Sequence, residues 1–567
     1  MPRRISVLLT SAILFLQSAT AAPRAADWQA AGFAASPRSR PHFSIPNPDA
    51  PALKSFLGGS PAGAGLAGAV WPQHYRIGVI RVEFQPDDDP ATTGNGTWGD
   101  LPFFTFQDSS TGVIIQDTTI DSKSKLYIQR NLLSVSQYYE AVSLGKVIFE
   151  VPDSEDISKI YRLPNEMAEY GKDDDYSLRT SKLAVDAVQA ADGELDFSKY
   201  DVVMVFHAGC GQHTDFDEKS PDDIFPVSIN YVLLREILAD GDPSYQGIES
   251  NDRNPDGSPF HVKFIQVFPE TAVQDWEVAG NQGGPLQGLL GVICHELGHF
   301  FGLPDLYDTY VGTRPTLGFY TLMATGFYNS VSRIPSHPDA WSKILLGWID
   351  PLVVTGDVQN VLLKATELPA DGLPQVIKVP ISSTEYLLIE LRLRDQNFNN
   401  RFDYHETGGN TFPDVMKDDY RLPSGSLAEF DWSIPNTDAP GLPAMSAADS
   451  ARLGSGVLIW HIDEEVIREN YTRDLTFNTV NTEPHHLGID LEEADGLQHL
   501  IEPFPATLNP GFGSPFDVFG GMVPGVKAAE LGNLNLSFGP YTNPNSSSYT
   551  GVPSNLEVSG FRSMTVS

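Results

Sequence analysis

The sequence contains very little cysteine: its 567 residues include two, Cys210 and Cys294. A disulfide framework of the kind that stabilises small secreted domains is therefore excluded, because a single pair would cross-link little of so long a chain. The two thiols could form one disulfide in an oxidising compartment, and the alternative is two buried free thiols. The sequence leaves both alternatives open.

Basic residues are also scarce. Lys and Arg number 37 against 73 Asp and Glu, which gives a formal net charge of −36. A chain of this charge repels phosphate backbones and anionic membrane surfaces, so we expect no nucleic-acid partner. The simplest interpretation of the charge is a solvated acidic surface, which also suits divalent cations and a soluble monomer.

Long apolar runs are absent beyond the N-terminus. There, Arg3 and Arg4 precede an apolar run, and residues 19–21 read Ala-Thr-Ala, which fits the small-x-small pattern of a cleavage site. The run is too short to span a bilayer. We therefore predict a signal peptide over residues 1–21, cleavage near Ala21, and a secreted protein without a membrane span.

The composition, with 41% apolar, 10% aromatic and 19% charged residues, is that of a globular protein. Residues 22–72 are rich in Ala, Pro, Ser and Gly, which is typical of a short pro-region followed by a flexible linker. Strand-like and helical patterns alternate over residues 73–350 and predict an α/β domain. Short strand-like runs between Pro- and Asn-rich loops predict a β-rich domain over residues 351–567.

Individual elements can be predicted within this division. The run 201–207 is almost wholly apolar, so we expect it to be a central strand of its sheet. The other predictions are strands at 76–84, 146–151, 262–268, 361–363, 376–379, 386–391 and 456–462, and helices at 135–142 and 177–191. No long helical period stands out after residue 351.

The segment 291–305 contains an H-E-x-x-H motif formed by His295, Glu296 and His299. On an α-helix, residues four apart lie one above the other, so both imidazoles can reach one metal ion. Glu296 is turned by roughly 100° and is placed as a base beside that ion. The opposite face is apolar, with Leu, Ile or Phe at positions 286, 289, 290, 293, 297 and 300.

A catalytic zinc ion needs a third protein ligand and an open position for water. Gly302 can end the helix with a sharp turn, and Pro304 prevents its continuation. Asp305 can then return to the metal, which extends the motif to H-E-x-x-H-x-x-G-x-x-D. Asp308, or a glutamate far away in the sequence, remains an alternative third ligand.

These residues predict a zinc-dependent hydrolase. Zinc lowers the pKa of its bound water to about 7, and Glu296 would take the water proton and deliver it to the leaving amine. Two alternatives are a non-catalytic adhesion or binding protein on a peptidase scaffold and a zinc hydrolase of non-peptide substrates. An intact Glu296 disfavours the first, because a retired site needs no base.

Motifs beyond the helix extend the pattern. Residues 302–308 read Gly-Leu-Pro-Asp-Leu-Tyr-Asp, residues 321–326 read Thr-Leu-Met-Ala-Thr-Gly, and a His-Pro-Asp-Ala-Trp run begins at residue 337. Together with the helix, they resemble the immune inhibitor A family of secreted, metzincin-like zinc metallopeptidases, over roughly residues 75–560. The resemblance implies a zincin-like α/β peptidase domain with a C-terminal β-rich domain, made as a zymogen and cleaving polypeptides as an endopeptidase. It also implies a Met-turn that places Met323 beneath the metal.

Three further side chains have two interpretations each. Tyr328 is a candidate for holding a transition-state oxyanion, although a surface-loop position is the simpler interpretation. His461 and Asp463 are interpreted as a hydrogen-bonded core pair or an interdomain contact rather than as catalytic residues.

Two oxygen-rich loops are candidates for calcium. In the loop 252–257, a hairpin tip is the better interpretation, because Lys263 stands where a calcium loop carries Glu. The second loop contains Asp395, Asn397, Asn399 and Asp403. Calcium is therefore a candidate cofactor in addition to zinc.

Overall fold

A computed structural model describes most of the chain. The described residues are 3–12, 44, 46–66, 68–99, 105–107, 114–116, 122–214, 220–271, 289–309, 316–332, 334–396, 454–472, 478–501, 513–521, 537–554 and 556–566. Among these residues, no helix is both long and apolar enough to cross a bilayer.

Helices and strands alternate through the first two thirds of the described chain, and strands dominate thereafter. The helices are α1 Pro51–Leu57, α2 Lys125–Val142, α3 Ala168–Gly171, α4 Tyr176–Ala191, α5 Tyr231–Leu238, α6 Leu290–Phe300, α7 Asn329–Ser332, α8 Ala340–Leu345 and α9 Glu464–Thr472. The strands are β1 Arg3–Ala12, β2 Gln73–Glu83, β3 Thr105–Gln107, β4 Ile114–Gln116, β5 Val147–Glu150, β6 Ile157–Arg162, β7 Val202–His207, β8 Val227–Asn230, β9 Ile248–Arg253, β10 Pro259–Val262, β11 Phe264–Pro269, β12 Leu352–Val353, β13 Val358–Leu363, β14 Val376–Pro380, β15 Glu385–Arg392, β16 Gly456–Asp463, β17 Ile489–Leu491, β18 Ser537–Phe538 and β19 Leu556–Val566.

A six-stranded sheet forms the centre of the first half. Its order is β5-β2-β7-β11-β8, and β6 also pairs with β2. Strands β2, β7 and β11 are parallel, whereas β8 runs antiparallel to β11 at the edge. Every residue of β7 is buried, which confirms its predicted central position and explains its continuous apolar sequence.

Helix α6 packs against this sheet and against α2. Two buried side chains hold its carbonyl groups: Tyr139 Oη donates to Cys294 O at 2.6 Å, and Gln266 Nε2 donates to Glu296 O at 2.6 Å. Tyr139 belongs to α2 and Gln266 to β11. The helix that carries the H-E-x-x-H motif is therefore fixed from two sides by residues of the core.

The second half contains two further sheets. One has the order β12-β14-β15-β16-β17, in which β14 to β17 are antiparallel neighbours. The other has the order β13-β1-β19-β18, in which β1 lies parallel to both β13 and β19. Strand β1 lies within residues 1–21, for which the sequence predicts a signal peptide.

One hydrophobic core crosses the boundary predicted at residue 350. It contains Trp341 of α8 together with Trp460 of β16. A buried charge cluster lies at the same place: Glu390 Oε1 is 3.5 Å from Lys343 Nζ and 2.9 Å from Arg392 Nε. The Trp460 indole also donates to Glu390 Oε2 at 2.9 Å. The two halves are therefore packed together through shared apolar and ionic contacts.

Most predicted elements have counterparts in the structure. The predicted strands coincide with β2, β5, β7, β11, β13, β14, β15 and β16, and the predicted helices with α2 and α4. Two elements differ from expectation. Helix α1 lies in the segment interpreted as pro-region and linker, and α9 is a helix in the half where no helical period was evident.

Candidate metal centre

Helix α6 ends in the turn that the sequence predicts. Gly302 has a φ of +89°, a conformation that residues with a Cβ rarely adopt, and its N–H donates to His299 O at 3.0 Å. A Cβ at this position would also lie 2.8 Å from Leu53 Cβ. Glycine is therefore required both by the backbone conformation and by the close approach of α1.

The two imidazoles are held in the form that binds a metal. His295 Nδ1 lies 3.0 Å from Leu322 O, and His299 Nδ1 lies 2.8 Å from Leu303 O. A carbonyl oxygen only accepts, so each Nδ1 carries the proton when the ring is neutral, and each Nε2 keeps its lone pair. The two rings lie with their centroids 4.9 Å apart, and both side chains are buried.

Asp305 meets both imidazoles. Its Oδ1 lies 3.0 Å from His295 Nε2 and 3.3 Å from His299 Nε2. Burial alone would raise the pKa of Asp305, but the interactions with His299 and His295 outweigh it and lower the pKa to about 2. The carboxylate is therefore ionised. Asp305, the main sequence candidate for the third ligand, lies against both imidazoles.

The residues present fit a zinc ion. The ligand atoms of His295, Glu296 and His299 lie within 4.8 Å of one another. In the part of the chain that the structure describes, His299 Nε2 and Asp305 Oδ2 are buried without a hydrogen-bond partner. Buried polar atoms rarely lack partners, because their desolvation is costly. Two imidazole nitrogens and one carboxylate form a donor set that zinc commonly takes at catalytic sites.

Glu296 lies beside these groups with its carboxylate buried. Burial raises its pKa to about 7, although His295 and Ser44 act in the opposite direction. Ser44 Oγ donates to Glu296 Oε2 at 2.5 Å. The carboxylate is therefore poised near neutrality, as a general base requires, but it is engaged by a residue of the N-terminal segment.

The N-terminal segment runs along the edge strand of the large sheet. Ser228 N of β8 donates to Ser44 Oγ at 2.9 Å, and Asn230 Nδ2 donates to Pro46 O at 3.1 Å. Ser44 and Pro46 are both buried by this contact. Ser44 and Pro46 therefore lie beside β8, the edge strand to which an extended peptide could add.

The same segment continues over the end of α6. Asn47 N donates to His299 O at 2.8 Å, and Asn47 Nδ2 donates to Phe300 O at 3.0 Å. Helix α1 follows and buries Phe56, whose ring meets the Trp341 ring edge-on at 5.5 Å between centroids. The segment that the sequence suggested as a pro-region and hinge thus covers the predicted metal site and is anchored in the core.

Met323 is fully buried and lies against the metal-site helix. A Cβ on Gly298 would lie 2.4 Å from Met323 Sδ, so the absence of a side chain at Gly298 makes room for the methionine. The backbone around Met323 joins the two parts of the site. Leu306 N donates to Met323 O at 2.7 Å, and the neighbouring Leu322 O pairs with the His295 ring.

Comparison with known proteins agrees with this geometry. The sequence model for the catalytic domain of the immune inhibitor A peptidase family, M6, matches residues 263–349. This part of the chain is therefore similar to the catalytic domain of that family. The matched residues include β11, α6, the turn through Asp305 and the segment around Met323, which are the elements that build the site.

Curated relatives carry related names. The chain is 25% identical over 245 residues to the pre-pro-metalloprotease PrtV of Vibrio cholerae serotype O1, strain M66-2, which covers 38% of this chain and 24% of that protein. It is 27% identical over 204 residues to immune inhibitor A of Bacillus thuringiensis subsp. alesti, which covers 34% of this chain and 28% of that protein. The chain thus matches about a quarter of the length of these relatives.

Two tyrosines of the family segment border the site. Tyr328, the candidate oxyanion group, is half-buried rather than on a surface loop, and its hydroxyl donates to His213 O at 3.2 Å. Burial, and then the nearby Glu296 carboxylate, raises the pKa of Tyr328. Sequence reasoning missed Tyr307, whose ring stacks over His295 at 6.3 Å between centroids and whose pKa is raised by burial and then by the nearby Asp305 carboxylate. Its position two residues after Asp305 was the available signal.

The structure also has a position for each remaining candidate. Cys210 and Cys294 are buried and are not joined by a disulfide in this structure. Burial raises the pKa of Cys294 well above its usual range, which makes this thiol unreactive.

His461 and Asp463 are core residues with separate partners: His461 bonds Glu385 and Glu492, and Asp463 accepts from His486. The interpretation of His461 and Asp463 as a mutual pair was therefore wrong.

The structure describes the first candidate calcium loop completely and the second only in part. Residues 252–257 form the tip of the β9–β10 hairpin, as preferred from the sequence, and Asp252 accepts a hydrogen bond from Phe197 N at 2.8 Å. In the second loop Asp395 is buried, whereas Asn397, Asn399 and Asp403 lie outside the described residues.

A second group of metal-type ligands was not anticipated. Glu493, Asp495, His499 and Asp517 place one ligand atom each within 4.8 Å of the others, and all four are buried. Burial and mutual repulsion raise the pKa of Glu493 and Asp517. Tyr320 Oη donates to Asp517 Oδ2 at 3.0 Å, so this cluster touches the segment that leads into Met323.

Proposed function

We propose that this protein is a secreted zinc metalloendopeptidase whose ion is held by His295, His299 and Asp305. The observation that carries the proposal is the convergence of both Nε2 atoms and the Asp305 carboxylate, while each Nδ1 is occupied by a backbone carbonyl. The match of residues 263–349 to the catalytic domain of the immune inhibitor A peptidase family supports the same conclusion. Polypeptides are the substrate class that a member of a peptidase family is expected to cleave.

The chain's own residues would perform the proton transfers. When bound, zinc would lower the pKa of a coordinated water to about 7 and polarise the scissile carbonyl. Glu296, with a pKa of about 7, takes a proton from the attacking water and hands it to the leaving amine. Met323 supports the helix from below at Gly298, and Tyr307 stacks on the His295 ring. Tyr328 is the candidate for stabilising the oxyanion, once its hydroxyl leaves the His213 carbonyl.

We also propose that the uncleaved chain is latent, a zymogen. The contact of Ser44 with Glu296 supports this proposal, because a base that accepts the Ser44 hydroxyl is unavailable to a water molecule. The backbone bonds of Asn47 and Pro46 add steric cover of the cleft. Export through the predicted signal peptide at residues 1–21, with cleavage near Ala21, would precede removal of this segment.

The fold is proposed to be zincin-like in its first half. The mixed sheet with an antiparallel edge strand beside the metal-site helix supports this assignment, and the strands β12 to β19 support a β-rich C-terminal domain over residues 351–567. The shared core implies that this second domain is a fixed part of the enzyme rather than a tethered module.

Zinc content and casein hydrolysis, measured with and without a chelator on the chain freed of its N-terminal segment, test the proposal. We expect bound zinc, and casein cleavage that the chelator abolishes and added zinc restores. Zinc without peptide cleavage would favour the two alternatives, a binding protein on a peptidase scaffold or a zinc hydrolase of other substrates. A chain that binds no zinc would contradict the proposal.

A further inference from the structure

The C-terminal half reaches the turn that presents Asp305. Three of its side chains donate to backbone carbonyls of that turn: Tyr471 Oη to Gly302 O at 2.8 Å, Asn478 Nδ2 to Asp305 O at 2.9 Å, and Asn481 Nδ2 to Leu306 O at 3.2 Å. All three donors are buried. Between 169 and 175 residues separate each donor from its acceptor along the chain.

These carbonyls need partners from elsewhere. They lie in the turn after α6, outside its helical hydrogen bonds, and Leu306 O additionally accepts a hydrogen bond from Thr316 Oγ1 of the peptidase half. A buried carbonyl that is left unpaired is costly, so the turn keeps this conformation only while something donates to it. The donors come from α9 and from the residues shortly after it.

Asn478 is tied to the turn at both of its ends. Its side chain donates to Asp305 O, and its own carbonyl accepts a hydrogen bond from Thr309 Oγ1. Its Oδ1 accepts from Val480 N at 3.0 Å, which fixes the orientation of the amide and aims Nδ2 at Asp305. The residue therefore brackets the third-ligand turn rather than touching it at one point.

The opposite side of the turn is held by the peptidase half. Leu306 N donates to Met323 O at 2.7 Å. The turn is thus clamped between the segment of Met323 and the C-terminal donors. Because the direction of the Asp305 carboxylate follows from the position of its backbone, both clamps set where that carboxylate meets the two imidazoles.

We propose that Tyr471, Asn478 and Asn481 are positioning residues for the metal ligand Asp305, so that the C-terminal half completes the metal centre of the peptidase half. This inference rests on the proposed zinc site. These three residues would not touch the ion. Their hydrogen bonds to the backbone hold the ligand residue in the orientation that the ion needs, so their loss weakens metal binding without removing a ligand atom.

The test compares zinc affinity among the full-length chain and three variants, by competition with a chromophoric chelator. Tyr471→Phe removes one hydroxyl and keeps the ring, and Asn478→Ala removes the donor to Asp305. Asn470→Ala is the matched control, because Asn470 bonds Val466 O and Thr479 Oγ1 in the same region without donating to the turn. Cobalt(II) absorption of each variant reports the ligand geometry, and circular dichroism reports folding.

We expect Asn478→Ala to bind zinc about 10-fold or more weakly, the range seen for outer-shell partners. Tyr471→Phe should show a smaller loss, and both should change the cobalt spectrum, while Asn470→Ala keeps the affinity and spectrum of the unmodified chain. Affinity and spectrum unchanged in both variants would overturn the inference. An equal loss in Asn470→Ala would also overturn it, because the effect would then be one of general stability.

These outcomes are separable from those of the proposed function. If the unmodified chain binds zinc but cleaves no peptide, the peptidase proposal fails and the positioning role is still tested by affinity. If the chain cleaves peptide and Asn478→Ala and Tyr471→Phe retain full zinc affinity, the positioning role fails alone. Tyr471→Phe keeps the inference falsifiable if Asn478→Ala does not fold.

Discussion

In the proposed metal centre, the nitrogen of His295 and of His299 that would bind the ion is selected by what the other nitrogen of each ring contacts. Each Nδ1 faces a backbone carbonyl, so Nε2 is the atom left to coordinate. The H-E-x-x-H spacing predicted that the two rings share one side of a helix. It did not specify the carbonyls of Leu322 and Leu303, because these come from turns whose conformation depends on the packing of the whole site.

A histidine outside the site gives a prediction for the pH dependence of stability. Burial alone would lower the pKa of His461, but its hydrogen bonds to Glu385 and Glu492 outweigh burial and raise the pKa to about 9, from an ordinary value of 6.5. The folded state therefore holds this proton more tightly than the unfolded state. The resulting stabilisation, about 3 kcal/mol, is complete below pH 6.5 and is lost as the pH rises through 9.

Urea unfolding of the chain at pH 6 and at pH 9.5 measures this loss. His461→Gln is the control, because it removes the titrating group and retains a hydrogen-bonding side chain. We expect the free energy of unfolding to fall more between the two pH values in the unmodified chain than in His461→Gln. Equal falls in both proteins would show that His461 does not contribute.

At the scale of elements, the strands with continuous apolar runs and the helix α4 were predictable because their patterns are local. Helix α9 was not, since its short sequence is mostly polar and is stabilised by its position between α1 and the turn at Gly302. The hydrogen bond from Ser44 to Glu296 could not be predicted either, because 252 residues separate the two. A composition rich in Ala, Pro and Gly suggested only a linker there.

The N-terminal segment gives a prediction at this scale. The double variant Ser44→Ala with Asn47→Ala loses the hydrogen bond to Glu296 and the side-chain bond of Asn47 to Phe300 O at the end of α6. We expect the unprocessed variant to cleave casein measurably faster than the unprocessed parent chain, because water gains access to the base. Initial rates before any N-terminal processing, verified by mass spectrometry, measure the difference.

Ser60→Ala, in the same segment but after α1, is the matched control and should leave the rate of the unprocessed chain unchanged. If the double variant is as inactive as its parent, while both become active after removal of the segment, then the contacts of Ser44 and Asn47 do not contribute to latency.

At the scale of the whole molecule, the two halves are joined at three places: the core around Trp341 and Trp460, the buried charges of Lys343, Glu390 and Arg392, and the donors to the third-ligand turn. The sequence predicted two domains from a change in pattern at residue 350. It could not predict that the two domains pack together, because contacts between charged and amide side chains of different halves produce no periodic pattern in the sequence.

The central claim is that Glu296 acts as the base beside an ion held by His295, His299 and Asp305. Its most direct test is Glu296→Gln, assayed for zinc content and casein turnover after removal of the N-terminal segment. The variant should keep the zinc of the parent chain and lose about 100- to 10,000-fold in turnover, the range typical of a general base. Glu296→Gln with zinc bound and turnover unchanged would contradict the claim.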